Sequence, residues 1–149
     1  MLEAGLLERN AVGVDLNPLA VLISKVKTTP IKKEKLQRWF TKFVDVVRVY
    51  APGDNLGLFD SNESKVDIKD VDNDPRLKDE WYIKWFQEDI LKELIWIDLN
   101  IKQIKDKKIQ SLALLTLSDI LRKSSNANSG YPNVMFDKNK KKVTSAIPK

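Results

Sequence analysis

The chain has 149 residues, a net charge of +5 and a pI near 9.3, and it contains neither cysteine nor histidine. A single domain of this length can bury a modest core. The lack of cysteine excludes disulfides and thiolate metal sites and fits a cytoplasmic location. Without histidine, any chemistry must use carboxylates, amides, hydroxyls or lysines. No run of about 18 apolar residues is present, so no membrane span is predicted.

The first pattern along the chain is a short apolar run that ends in an acid. Residues 11–15, Ala-Val-Gly-Val-Asp, predict a buried parallel strand with the carboxylate of Asp15 at its end. Asn17 is a favourable N-cap and Pro18 a favourable first residue, which predicts a helix over residues 18–26. In doubly wound α/β proteins, an acid at such a strand end accepts hydrogen bonds from a ribose. The predicted fold class is therefore α/β.

Helical patterns dominate the rest of the chain. Apolar residues at helical spacing predict longer helices over residues 32–50, 80–104 and 107–123. Residues 51–80 hold nine acids against four bases, which predicts an exposed acidic loop. The short connections predict antiparallel packing, with most of the tryptophan rings in the core. Residues 126–149 are predicted to form a polar, Lys-rich tail.

Two segments resemble the S-adenosylmethionine-dependent DNA amino-methyltransferases, which modify N6 of adenine or N4 of cytosine. Residues 10–30 are similar to the block that follows the Gly-rich cofactor loop of that family. Residues 120–129, Ile-Leu-Arg-Lys-Ser-Ser-Asn-Ala-Asn-Ser, are similar to the run that closes its helical insertion. The resemblance implies S-adenosylmethionine as the cofactor, with Asp15 on its ribose and with Leu16 and Pro18 beside its adenine ring.

Two motifs of this family are missing from the sequence. The five glycines form no Gly-rich loop, and no two prolines are adjacent, so the Pro-Pro-Tyr catalytic motif is absent. The resemblance thus implies an internal part of a methyltransferase: residues 1–30 as a partial cofactor-binding core, 31–125 as a helical insertion and 126–149 leading towards the catalytic region. No methyl transfer is expected from the chain alone, no catalytic residue is assigned, and a complementing subunit would supply the missing loops.

The resemblance also implies DNA as a partner. Arg122, Lys123 and Ser124 have the composition of a phosphate-contacting helix end, although basic residues there also compensate the helix dipole. No metal site is predicted, because the acidic stretch lacks the glycine and terminal glutamate of a calcium-binding loop. Two alternatives stay open. In the first alternative, the chain is a non-enzymatic helical module that binds DNA or a partner. In the second, it is a degenerate remnant that folds poorly.

Overall fold

A computed structural model describes residues 1–48, 50, 66–128, 134–140 and 144–147. These residues fold mainly into helices: α1 (Leu2–Leu6), α2 (Pro18–Lys27), α3 (Lys33–Arg48), α4 (Ile68–Asp72), a 3₁₀ helix (Pro75–Lys78), α5 (Glu80–Trp85), α6 (Glu88–Lys102) and α7 (Lys107–Ser124). The one β feature in these ranges is an antiparallel bridge between Ala127 and Phe136. None of the helices described has the length and apolar character needed to span a bilayer.

The predicted α/β fold is wrong, because the described residues contain no strand and no sheet. Residues 11–15 form no regular secondary structure, and Val12 and Val14 are 93% and 92% exposed. A strand is held by hydrogen bonds to a neighbouring strand, and no other described segment pairs with this one. The apolar pattern of residues 11–15 therefore produces a solvent-exposed segment instead of a buried strand.

The helix predicted after this segment is confirmed. α2 begins at Pro18, and the side-chain oxygen of Asn17 accepts a hydrogen bond from the Leu19 N–H at 2.9 Å. Asn17 thereby satisfies one of the amide groups that have no partner within the first helical turn. α2 ends at Lys27, close to the predicted end, and packs against α7.

α6 forms the centre of the fold. It contacts α7, α3, α4, α5 and the 3₁₀ helix, so it is covered on most of its faces. Its buried apolar residues are Ile90, Leu91, Leu94, Ile95, Trp96, Ile97 and Ile101. A helix that is apolar on most of its surface is stable only when neighbours surround it. The packing of α6 against α7 confirms the prediction that these two helices lie together.

The helix predicted over residues 80–104 is in fact two helices. α5 ends at Trp85, Phe86 is extended with φ −131° and ψ 146°, and Gln87 is the N-cap of α6, which begins at Glu88. Phe86 is buried within the core cluster. The chain therefore leaves helical geometry at a position where doing so buries an aromatic side chain.

Residues 51–65 of the predicted acidic loop lie outside the described residues. For residues 66–80 the loop prediction is wrong, since α4 and the 3₁₀ helix occupy this stretch. A capping box starts α4. The Asp67 side chain accepts a hydrogen bond from the backbone of the first turn, and the Asp70 side chain accepts one from the Asp67 N–H at 2.9 Å. Val71 is fully buried against the core. Acidic side chains here begin helices instead of solvating a loop.

Candidate functional site

The three residues predicted to bind a cofactor lie in one exposed turn before α2. Oδ1 of Asp15 accepts a hydrogen bond from the Asn17 N–H at 2.8 Å. Leu16 is fully exposed, and Pro18 is exposed at the start of α2. Each short polar side chain here binds the backbone two residues ahead, which is a common way to fix a turn. The turn presents a carboxylate and an apolar side chain side by side to solvent.

This turn fits one side of an S-adenosylmethionine site. The Asp15 carboxylate can accept hydrogen bonds from the hydroxyls of a ribose, and Leu16 offers apolar surface to an adenine ring. Both side chains are exposed, so the described residues do not enclose a ligand at this position. A ligand at this turn would therefore need another surface to enclose it.

A small pocket lies between the end of α2 and the start of α7. Its volume is about 60 Å³, and its lining residues are Lys25, Val26, Thr29, Ile31, Lys107, Lys108 and Ser111. Small-molecule sites usually have about 300–1,000 Å³, so this pocket is too small for the cofactor. The pocket brings together Lys25 with Lys107 and Lys108, which are distant in the sequence.

The residues predicted to contact DNA lie at the end of α7. Arg122 and Lys123 are exposed, and Lys123 forms an ion pair with Asp119 one turn earlier at 2.5 Å. Ser124 is buried, with 5% of its surface exposed. The structure thus leaves two of the three side chains accessible and places the third inside the fold.

Lys140 stabilises the same end of α7. Its ammonium donates hydrogen bonds to the carbonyl oxygens of Lys123, Ser125 and Ala127 at 3.2, 2.6 and 3.0 Å. The Lys123 carbonyl lies in the last turn of α7 and the other two follow it, where few partners are available within the helix. The sequence suggested a solvated Lys-rich run over residues 138–142, of which 141 and 142 lie outside the described residues. Nothing in the local sequence reveals this contact, because it joins residues 13 to 17 positions apart.

The tryptophans divide between the core and the surface. Trp96 is buried and stacks on Tyr50 with ring centroids 5.5 Å apart. Trp81 is 59% exposed, and Trp85 contacts both Trp81 and Phe136, at 6.4 and 5.7 Å between centroids. The predicted core position therefore holds for Trp96 and not for Trp81.

An ion-pair network that the sequence did not indicate fixes the 3₁₀ helix to α6. The Arg76 guanidinium binds both oxygens of Asp74 at 2.8 Å and donates to Asp98 at 2.7 Å. The hydrogen bonds from Arg76 hold the pKa of the Asp74 carboxyl below its ordinary value. Because Arg76 and Lys102 together balance the charges of Asp74 and Asp98, this cluster is a structural link. Among the described residues, no group of three or more carboxylates is arranged to hold a metal ion.

Glu93 is a second polar residue that the sequence did not single out. It lies on α6 with 1% of its surface exposed. Its carboxylate accepts hydrogen bonds from the Ser145 hydroxyl at 3.0 and 3.1 Å and from the backbone N–H groups of Ala146 and Ile147. A buried carboxylate is tolerated when several donors surround it. Glu93 therefore fixes residues 145–147 against the centre of the fold.

The chain matches no protein-family model, no curated protein and no solved structure.

Proposed function

We propose that this chain is part of a DNA methyltransferase that transfers a methyl group from S-adenosylmethionine to an exocyclic amine of adenine or cytosine. The observation that carries the proposal is the similarity of residues 10–30 to the acid-bearing cofactor block of that family, followed in the family's order by residues 120–129. In this proposal Asp15 binds the cofactor ribose, Leu16 and Pro18 contact the adenine, and α3 to α7 form the helical insertion.

The accessibility of the turn before α2 supports this role. Asp15, Leu16 and Pro18 are all exposed, so a cofactor and a complementing subunit can reach them. The apolar side chains of Val12 and Val14, which are almost fully exposed, give such a subunit surface to bury. The proposal needs no sheet within this chain.

The same proposal explains why the chain should not act alone. The cofactor supplies the reactive methyl group, and the protein must position it against the target amine. The sequence contains neither the Gly-rich loop nor the Pro-Pro-Tyr motif that does this in the family. We therefore expect no turnover of S-adenosylmethionine by the purified chain. Turnover would contradict this part of the proposal.

A helical module that binds DNA or a partner without catalysis is the second candidate. One observation favours it: the core built around α6 draws no residue from positions 1–30. The core of the helical part is therefore separate from the turn at Asp15. Cofactor binding separates the two candidates.

The first experiment is a calorimetric titration of the chain with S-adenosylmethionine. Asp15→Asn keeps an oxygen that can accept from the Asn17 N–H, but it removes the carboxylate that a ribose diol needs. A hydrogen bond to a charged group contributes about 1.5–3 kcal/mol, so the affinity should fall roughly 10- to 100-fold.

Asp79→Asn is the matched control for this titration. Asp79 is also exposed, and it accepts from the Trp81 N–H at 2.8 Å at the start of α5. This variant should bind the cofactor as the unchanged chain does. If the folded chain shows no binding, or if both variants lose affinity equally, the cofactor role of Asp15 is wrong and the helical-module candidate is favoured.

A further inference from the structure

Two short stretches hold more positive charge than the whole chain. Residues 25–35 contain five lysines and one glutamate, and residues 102–108 contain four lysines and one aspartate. Together they carry a net charge of +7, compared with +5 for all 149 residues. The rest of the chain is therefore slightly acidic, and the positive charge is concentrated in these two stretches.

The fold brings the two stretches together. The pocket between α2 and α7 is lined by Lys25 from the first stretch and by Lys107 and Lys108 from the second. An ion pair between Lys35 and Asp106 joins the start of α3 to the start of α7. We call the lysines of residues 25–35 and 102–108 the basic end, since they lie where α2 and α6 finish and α3 and α7 begin.

The lysines of the basic end are accessible. All nine are exposed, and the carboxylates that pair with them in the described part of the chain are Asp98 and Asp106. Two carboxylates leave most of this charge without compensation. A concentrated, exposed field of one sign attracts a ligand of the opposite sign.

The surroundings of the basic end favour nucleic acid over a lipid surface. The apolar residues within these stretches, Val26, Ile31 and Ile104, are half-buried against the fold. An interfacial membrane segment needs exposed apolar side chains between its lysines. Phosphate contacts with a nucleic-acid backbone need only accessible cations.

We propose that the basic end binds the phosphate backbone of duplex DNA. This site differs from the one predicted at Arg122 and Lys123, which lies at the other end of α7, an 18-residue helix about 27 Å long. The choice of DNA as the ligand rests on the proposed function, whereas the concentration of positive charge at the basic end does not depend on cofactor binding. It adds a backbone-binding surface to the helical insertion.

The test is the affinity of the full chain for a fluorescently labelled duplex of about 20 base pairs, measured by anisotropy at several salt concentrations. The triple variant Lys25→Gln, Lys107→Gln, Lys108→Gln removes three charges around one pocket. Each lysine on a phosphate contributes about one unit to the slope of log K against log salt. The slope should therefore fall by about 3, and the affinity at 0.1 M salt should fall on the order of 100-fold.

Two control variants locate the site. Lys69→Gln, Lys78→Gln, Lys138→Gln removes the same charge from exposed positions outside the basic end. It should keep most of the affinity and most of the slope. Arg122→Gln, Lys123→Gln tests the other end of α7. All substituted positions are exposed, so circular dichroism should show an unchanged helix content in each variant.

Three outcomes would overturn the proposal. They are no DNA binding by the folded chain, an equal loss in the first control variant, or a loss confined to the Arg122 and Lys123 variant. Tighter binding to phosphatidylserine vesicles than to DNA, lost in the basic-end variant, would also overturn it and identify a lipid ligand. DNA binding through the basic end without S-adenosylmethionine binding upholds this proposal and contradicts the cofactor role. S-adenosylmethionine binding without DNA binding upholds the cofactor role and contradicts this proposal.

Discussion

Replacing Glu93 with alanine tests the buried contact that holds the end of the described chain to α6. The carboxylate of Glu93, 1% exposed, accepts from the Ser145 hydroxyl and from the backbone N–H groups of Ala146 and Ile147. Alanine removes this acceptor, but the Ile147 N–H also donates to the Ser145 oxygen, and the Ser145 hydroxyl also donates to the Ile147 carbonyl, both at 3.0 Å. The donor that loses its acceptor is therefore the Ala146 N–H, and a buried donor left without a partner costs about 1–3 kcal/mol. We expect the free energy of unfolding to fall by about 2 kcal/mol.

Urea unfolding followed by circular dichroism measures this change. Glu88→Ala is the matched control on the same helix, since the Glu88 side chain is 76% exposed and pairs with Lys92 at 2.9 Å. An exposed pair of this kind contributes about 0.3–0.5 kcal/mol, so the control should change stability by no more than that. The reasoning is refuted if Glu93→Ala is no more destabilising than Glu88→Ala.

Glu93→Gln separates the hydrogen bonds from the effect of removing volume. The amide oxygen can take the position of Oε2, which receives both backbone N–H groups, and the amide nitrogen can donate to the Ser145 oxygen. We therefore expect this variant to keep more than half of the stability that the alanine variant loses. Equal losses in the two variants would show that the hydrogen bonds are not the cause.

Three further predictions concern the fold. Arg76 holds the pKa of Asp74 below its ordinary value of 3.8, so this carboxylate stabilises the fold above that pH and loses its effect as the pH falls. Asp74→Asn should weaken the acid dependence of urea unfolding, and an unchanged dependence would contradict this. Ile95→Ala should lower the free energy of unfolding by about 2–5 kcal/mol, because Ile95 is 1% exposed at the centre of the core; a loss below 1 kcal/mol would place it outside the core. Asn17→Ala should destabilise α2 by about 1 kcal/mol, seen as faster amide exchange of Leu19, and unaltered exchange would argue against the cap.

Local signals explain which parts of the fold were predictable. The start of α2 depends on Asn17 and Pro18, which act within their own turn, and the sequence located it correctly. α7 extends over Lys107–Ser124, one residue beyond the prediction, since its cap at Asp106 and its apolar spacing are also local. The break at Phe86 has no glycine or proline to mark it, because burial in the core decides it.

Non-local partners explain the rest. Residues 11–15 have the apolar pattern of a strand, but a strand depends on a neighbour that the pattern cannot reveal. The contacts of Lys140 with the end of α7 join positions that no local rule connects. Of the candidate sites, the sequence singled out Asp15, although at the end of a strand and not in an exposed turn, whereas the basic end as a whole depends on the fold joining residues 25–35 to residues 102–108.

The lysines at the start of α7 also oppose the dipole of their own helix. The amino end of a helix carries a partial positive charge, yet the first turn of α7 contains Lys107 and Lys108 and no acid. The Asp106 cap offsets part of this repulsion, and Lys35 holds the pKa of the Asp106 carboxyl below its ordinary value, which keeps the cap charged. A bound polyanion would remove the remaining repulsion. The substitutions proposed to weaken DNA binding at this end should therefore make α7 itself more stable, so that folding and the proposed binding would place opposite demands on Lys107 and Lys108.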